Sequence, residues 1–188
     1  MVRRMLLILL AALLPLCALA QTAQVLDPSD VLSDEAEAEI VRLIGQIEAE
    51  YPVDLVVLVT FGVPDDDTEE LSVVQAWADD FYDQGGYGVG EDRSGMIYLI
   101  DLNNGVQYVS TCSEMIGVLD DERLDAVLDA AHPFLVQGDW GRGVQEALRC
   151  VWACLGEQAA ACDQSPAEAV PQPEGSPAGM LLMGGECL

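Results

Sequence analysis

The chain contains no lysine. Its 7 basic residues are all arginine and stand against 33 acidic ones, for a formal net charge of −26. A surface so charged repels nucleic acid and anionic lipid headgroups, and it attracts cations and cationic surfaces instead. Much of the acid also serves plain solubility, as on many exported proteins. The single histidine, His132, sits inside a helical stretch beside Pro133 and reads as a packing or surface residue. Ser110, Thr111, Cys112 and Ser113 have no general base recognisable beside them, so no catalytic triad can be assembled. No internal repeat is visible. Beyond the first 20 residues no apolar run is long enough to span a bilayer, and Met180-Leu181-Leu182-Met183 is far too short.

The first 20 residues, MVRRMLLILLAALLPLCALA, have two arginines before a leucine-rich core and small residues at Ala18 and Ala20. That pattern predicts a secretory signal peptide cleaved after Ala20 and a secreted or extracytoplasmic protein. A lipid anchor on Cys17 is disfavoured, because Leu16 stands where a small residue is required. Cleavage leaves five cysteines, Cys112, Cys150, Cys154, Cys162 and Cys187, an odd number in an oxidising compartment. Cys150 and Cys154 share a helix face and are poorly placed to bridge each other. Cys112 with a helical cysteine, or Cys154 with Cys162, is the better pairing, and a three-cysteine metal site lacks a fourth ligand.

Between the ends, the periodicities alternate. Ser33 caps a helix with apolar positions Ala36, Ile40, Leu43, Ile44 and Ile47, stopped by Pro52. Residues 53–60, VDLVVLVT, read as a strand covered on both faces. Asp65, Asp66 and Asp67 lead to a Thr68 cap and a helix lined by Leu71, Val74, Ala78 and Phe81. Residues 96–101 and 106–111 form two strands joined by Asn103-Asn104-Gly105, a hairpin turn needing positive φ. Two helices follow, one capped at Asp120 or Asp121 and broken or kinked at Pro133, the other capped by Asp139. Trp77, Trp140 and Trp152 fall on helices and read as core or core-edge residues rather than ligand platforms. From residue 159 the composition turns to Ala, Pro, Glu and Gly, which predicts a disordered tail over 159–188. The order predicts a three-layer α/β/α sandwich with a small mixed sheet, occupying residues 25–158. In that topology the 83–94 loop and the 111–117 segment share one sheet edge, and the 65–67 acids lie at the other.

The chemistry concentrates in the loop. Asp80, Asp83 and Asp92, flanked by Asp79 and Glu91, supply carboxylates, and Gly85, Gly86, Gly88 and Gly90 let the backbone curve and present carbonyls. Hard cations such as Ca²⁺ need such oxygens, although the spacing is not that of an EF-hand. Gly86-Tyr87-Gly88-Val89-Gly90 is not a nucleotide motif, because it follows a helix and precedes a strand. Arg93 is the one arginine placed to touch an anion held at this loop.

An ordered set of motifs resembles the TPM domain family of exported or membrane-tethered α/β/α modules. It comprises Val25-Leu26-Asp27, Ala78-Asp79-Asp80-Phe81-Tyr82-Asp83 with Gly88, Gly95 to Ile100, Gly117 to Asp121, and Gly138-Asp139-Trp140 with Gly143. The family includes thylakoid-lumen photosystem repair proteins and an acetylcholine-receptor modulator. The resemblance implies a divalent-metal site, usually calcium, carried here by Asp80, Asp83 and Asp92. It also implies either an accessory role toward a membrane or cell-envelope protein, or acid phosphatase activity on phosphomonoesters. This chain departs from the pattern at Cys112 and Glu114, where many members have glycines, and it lacks the membrane helix that often follows the domain.

Overall fold

The computed structural model describes residues 24–64 and 72–156, and the backbone of residues 181–186. The expected signal peptide, Asp65 to Asp67 with Thr68 and Leu71, residues 157–158 at the end of the expected domain, and residues 159–180 and 187–188 of the expected tail lie outside the described residues.

Ser33 opens α1 (Asp34–Glu50): its Oγ accepts from the Ala36 N–H at 3.2 Å, and Asp34, Glu35 and Glu37 sit favourably at the positive end of the helix dipole. Ile40, Leu43, Ile44 and Ile47 recur at helical spacing and are all buried. Each contributes roughly 1.5–3 kcal/mol relative to exposure. The chain then enters β2 (Asp54–Thr60), where six consecutive residues are buried, as a strand covered on both faces requires. A two-residue strand, β1 (Val25–Leu26), pairs parallel to β2, where the sequence reading saw only an entry segment.

β3 (Gly95–Asp101) runs parallel to β2, with Asp54 opposite Gly95 and Thr60 opposite Asp101. β4 (Val106–Cys112) returns antiparallel, with Gly95 opposite Cys112. The expected hairpin turn is built as its residues demand: Gly105 takes φ +68°, and the fully buried Asp101 carboxylate accepts from the Asn103 and Asn104 N–H groups and from Asn104 Nδ2. The sheet is mixed, in the order β1-β2-β3-β4-β5. Its last strand, β5 (Leu181–Glu186), pairs parallel to β4 inside the stretch expected to be disordered. This corrects the expectation at six residues: the open edge of β4 supplies backbone partners that local composition does not reveal.

Helices cover both faces. α2 (Ser72–Gly85) packs on one through Val74, Ala78 and Tyr82, with Val56, Leu58, Ile97, Leu99, Tyr108 and Cys112 of the sheet beneath it. The inward position is Tyr82 rather than Phe81, which is half-buried and stacks on Trp77 at 5.4 Å between centroids. On the other face lie α1, the short unanticipated α3 (Glu114–Val118), α4 (Asp121–Leu135) and α5 (Trp140–Leu155). Asp120 and Asp139 cap α4 and α5, accepting from the N–H groups of Arg123 and Arg142. Pro133 does not end α4, which runs on to Leu135 with Phe134 and Leu135 buried, so packing of the last turn outweighs the missing N–H. The three layers agree with the expected sandwich.

Candidate functional site

The loop leaving α2 is a small closed structure. The N–H of Val89 bonds to the Ser94 carbonyl at 3.0 Å, and the N–H of Ser94 returns to the Val89 carbonyl at 2.9 Å. Gly88, at φ +103°, has its α-carbon so close to the Arg93 main chain that an added Cβ would stand 2.5 Å from the Arg93 carbonyl oxygen. Its N–H donates to Asp54 Oδ2 at 2.7 Å, which ties the loop to the start of β2.

Arg93 locks the assembly from a left-handed backbone, φ +57°. Its Nε donates to the Tyr87 carbonyl at 2.8 Å, and one terminal nitrogen donates to the carbonyls of Tyr82 at 2.9 Å and Asp83 at 3.3 Å. The other terminal nitrogen reaches Asp83 Oδ1 at 3.0 Å. The guanidinium also lies 5.7 Å from the centre of the Tyr82 ring. Carbonyls at the end of a helix have no partner within it, and a planar five-donor fork satisfies two of them at once. The sequence reading placed Arg93 as the residue to meet a bound anion. In the structure its donors are taken up by main-chain oxygens and by Asp83.

The predicted ligands divide into two groups. Asp79, Asp80 and Asp83 fall within the last two turns of α2, and the charges of Asp83 and Asp80 both act on Asp79. Glu91 and Asp92 are exposed at the loop tip, beyond the Val89–Ser94 pair. Asp80 is exposed, and Asp83 is bound to Arg93. Among the described residues, no group of three His, Cys, Asp or Glu side chains stands close enough to hold a metal ion. As placed, Asp80, Asp83 and Asp92 do not gather into such a group.

What the structure does bring together is Asp79 and Ser110. The Ser110 Oγ–H donates to Asp79 Oδ1 at 2.6 Å, joining α2 to the C-terminal part of β4. This also places the end of β4 beside the loop, as the topology predicted. Burial raises the Asp79 carboxyl above the usual carboxylate range, the Ser110 hydrogen bond opposes that, and the charges of Asp83 and Asp80 add to it. Two buried phenols flank the region, and Tyr82 Oη and Tyr108 Oη have no hydrogen-bond partner among the described residues. Burial pushes both phenols up, with the charge of Asp54 next in importance for Tyr82 and that of Asp79 for Tyr108. Asp54 escaped the sequence reading because it was absorbed into an apolar strand, although it is the one charged residue in that run. The Asp79–Ser110 contact joins residues 31 apart and leaves no local signal.

The other notable concavity lies across the sheet, a groove of about 700 Å³ between α1 and α5 lined by Ser33, Glu39, Trp140, Arg142 and Arg149. Ion pairs engage some of its charges, Arg149 with Glu146 at 2.8 Å and Glu39 with Arg42 at 2.6 Å, and Arg142 lies over the Phe134 ring at 4.3 Å.

With this geometry in place, the family model of the TPM domain matches residues 25–153, most of the chain. The chain belongs to the TPM domain family. Comparison with the curated proteins finds no match. Among solved structures, this TPM domain is similar to the N-terminal domain of a protein from P. gingivalis, with 20% identity, 74% of this chain and 85% of that one covered, and a TM-score of 0.61. It is also similar to the BA42 protein of the psychrophilic bacterium Bizionia argentinensis, with 15% identity, 85% and 98% covered, and a TM-score of 0.58. At these identities the likeness concerns the fold, and the chemistry of the TPM domain's rim has to be argued from its own residues.

Proposed function

We propose that this TPM domain is an exported interaction module that docks a cell-envelope or membrane protein on the acidic rim formed by Asp79, Asp80 and Asp83. The observation that carries the reading is the Arg93 clamp, which fixes the end of α2 by main-chain bonds and holds the exposed carboxylates on a rigid edge. A rigid acidic rim on a chain of charge −26 suits a cationic face on the partner, which it would steer and orient. Calcium enters only as an ion shared with that partner, since Asp80 and the Arg93-bound Asp83 offer far fewer than the six to eight oxygens the ion takes.

Acid phosphatase activity is the second reading, and the Asp79–Ser110 hydrogen bond is what favours it. Ser110 is fully buried, and the guanidinium nearest the rim is engaged with protein oxygens, so docking ranks ahead. A photo-crosslinking residue in place of Gln84, in the full chain within its own cell envelope, tests the order. One discrete adduct, lost when Asp80 and Asp83 are both changed to Asn, is the expected result. Adducts that persist in the double variant, or EDTA-sensitive turnover of 4-nitrophenyl phosphate that disappears in Asp79→Asn, would reverse the ranking.

A further inference from the structure

The concavity between α1 and α5 is longer than its largest part. The groove of about 700 Å³ at the start of the two helices is continued by cavities of about 290 and 350 Å³, and Arg149 lines all three. Ser33 and Trp140 stand at one end, Tyr51 and Gly156 at the other, so α1 and α5 run side by side in the same direction along it. The helices approach closely at Gly141, where an added Cβ would stand 2.6 Å from the Ala36 Cβ, and both residues line the groove.

Its middle is a polar frame built the same way on both walls. On α1, Arg42 donates to Glu39 Oε2 at 2.6 Å and to Gln46 Oε1 at 3.1 Å. On α5, Arg149 donates to Glu146 Oε1 at 2.8 Å and to Gln145 Oε1 at 3.3 Å. Each guanidinium holds one oxygen of its glutamine and one of its glutamate, which leaves the amide N–H donors and a second carboxylate oxygen for a ligand. Toward the two ends stand the half-buried indoles of Trp140 and Trp152, 12 residues apart on α5. At a helical rise of about 1.5 Å per residue they are about 18 Å apart. The Trp152 Nε1–H donates to Glu50 Oε2 at 3.0 Å, which fixes that ring. The sequence reading gave both rings to the core edge, and the structure leaves part of each on the groove wall.

This lining selects by chemistry. Carboxylates outnumber guanidiniums along it, on a chain of charge −26, so a polyanion is repelled. An apolar ligand would strip water from the amides and ion pairs and give them no partner in return. What matches is a ligand whose hydroxyls, each both donor and acceptor, come in neighbouring pairs, and whose C–H faces can lie on indoles. We propose that the groove binds an uncharged polysaccharide, as a run of neutral sugars long enough to reach from Trp140 to Trp152. Sugar rings pack on the two indoles, and the Arg42 and Arg149 frames hydrogen-bond the hydroxyls between them. The groove lies across the sheet from the rim of Asp79, Asp80 and Asp83, so the proposal stands apart from the docking proposed there.

The test is a titration of the full secreted chain with two neutral hexasaccharides, cellohexaose and chitohexaose, followed through the indole N–H signals in nuclear magnetic resonance spectra. The chain has 3 tryptophans, and Trp77, on α2 across the sheet, is the internal control. With at least one of the two sugars, Trp140 and Trp152 are expected to shift together and saturably while Trp77 stays in place. The matching disaccharide, too short to reach both indoles, and an anionic oligogalacturonate are expected to bind at least tenfold more weakly. Trp140→Ala is expected to weaken the hexasaccharide roughly tenfold, and Gln46→Ala, at an exposed position the fold does not need, severalfold. No shift of Trp140 and Trp152 at millimolar concentrations of either hexasaccharide would overturn the proposal. So would a shift of Trp77 equal to theirs, oligogalacturonate binding as tight as the neutral sugars, or full affinity in both variants.

Discussion

Truncating Arg93 to alanine separates two accounts of the loop, because its guanidinium makes both main-chain bonds and an ion pair. The bonds to the Tyr87 and Tyr82 carbonyls, at 2.8 and 2.9 Å, are charge-assisted and partly buried. Hydrogen bonds of that kind contribute about 1.5–3 kcal/mol each. Against this, the freed side chain regains up to about 2 kcal/mol of rotamer entropy, and water reaches part of the exposed carbonyl surface. The net expected loss is roughly 2–4 kcal/mol. The ion pair with Asp83 has side chains 36% and 48% exposed. A pair so exposed is worth about 0–1 kcal/mol, so Asp83→Asn should cost no more than that. Arg93→Lys keeps the charge but cannot fork between carbonyls, and should recover less than half of the loss. Urea unfolding followed by tryptophan fluorescence measures all three, with Trp77 on α2 as a local reporter. If Asp83→Asn costs as much as Arg93→Ala, or Arg93→Lys restores full stability, the clamp is an ion pair and the carbonyl argument fails.

Other outcomes follow from the same geometry. Gly95→Ala would put a Cβ 2.2 Å from Tyr82 Oη and 2.3 Å from the Asp54 carbonyl, so a loss of about 1–3 kcal/mol is expected, read as a lower melting temperature; an unchanged melting temperature would mean that α2 is not seated on β3 as described. Tyr98→Phe strips the buried Gln107 Oε1 of a 2.7 Å donor and should cost about 1–3 kcal/mol in urea, and a neutral result would show that the amide had found another partner. Because the Asp79 carboxyl binds its proton more tightly in the folded chain than in the unfolded one, its titration lowers stability as pH rises from the ordinary aspartate range through the raised value. Asp79→Asn removes that titration and keeps an acceptor for Ser110, so its advantage over wild type should grow from pH 4 to pH 7 and vanish in acid. Melting curves that stay parallel across that range would show that the carboxyl is not perturbed.

The layers were readable because each rests on a local pattern. Ile40, Leu43, Ile44 and Ile47 repeat at the helical period, residues 55–60 form an unbroken buried run, and Asn103-Asn104-Gly105 has the residues a positive-φ turn wants. The parallel crossover followed by a hairpin was enough to put the 83–94 loop and the end of β4 at one edge. The composition of the loop was legible in the sequence, and the partners of its polar groups were not. Five acids among glycines look like a cation loop in a string of letters, yet the same glycines serve to bring Arg93 against carbonyls that cations would have needed. β5 was missed for a related reason, since Leu-Leu-Met-Gly-Gly-Glu has little strand preference and pairs only because β4 offers it an edge.

The sequence by itself determined the sign and size of the charge, the alternation of the main helices and strands, and the inward face of α1, because these depend on residue type and short-range periodicity. Tertiary structure decided which polar groups meet: Arg93 with three carbonyls, Gly88 with Asp54, and Asp79 with Ser110. Such encounters depend on where separate elements end in space. A carboxylate's role is set by the donor that reaches it first, and that donor can be 34 residues away.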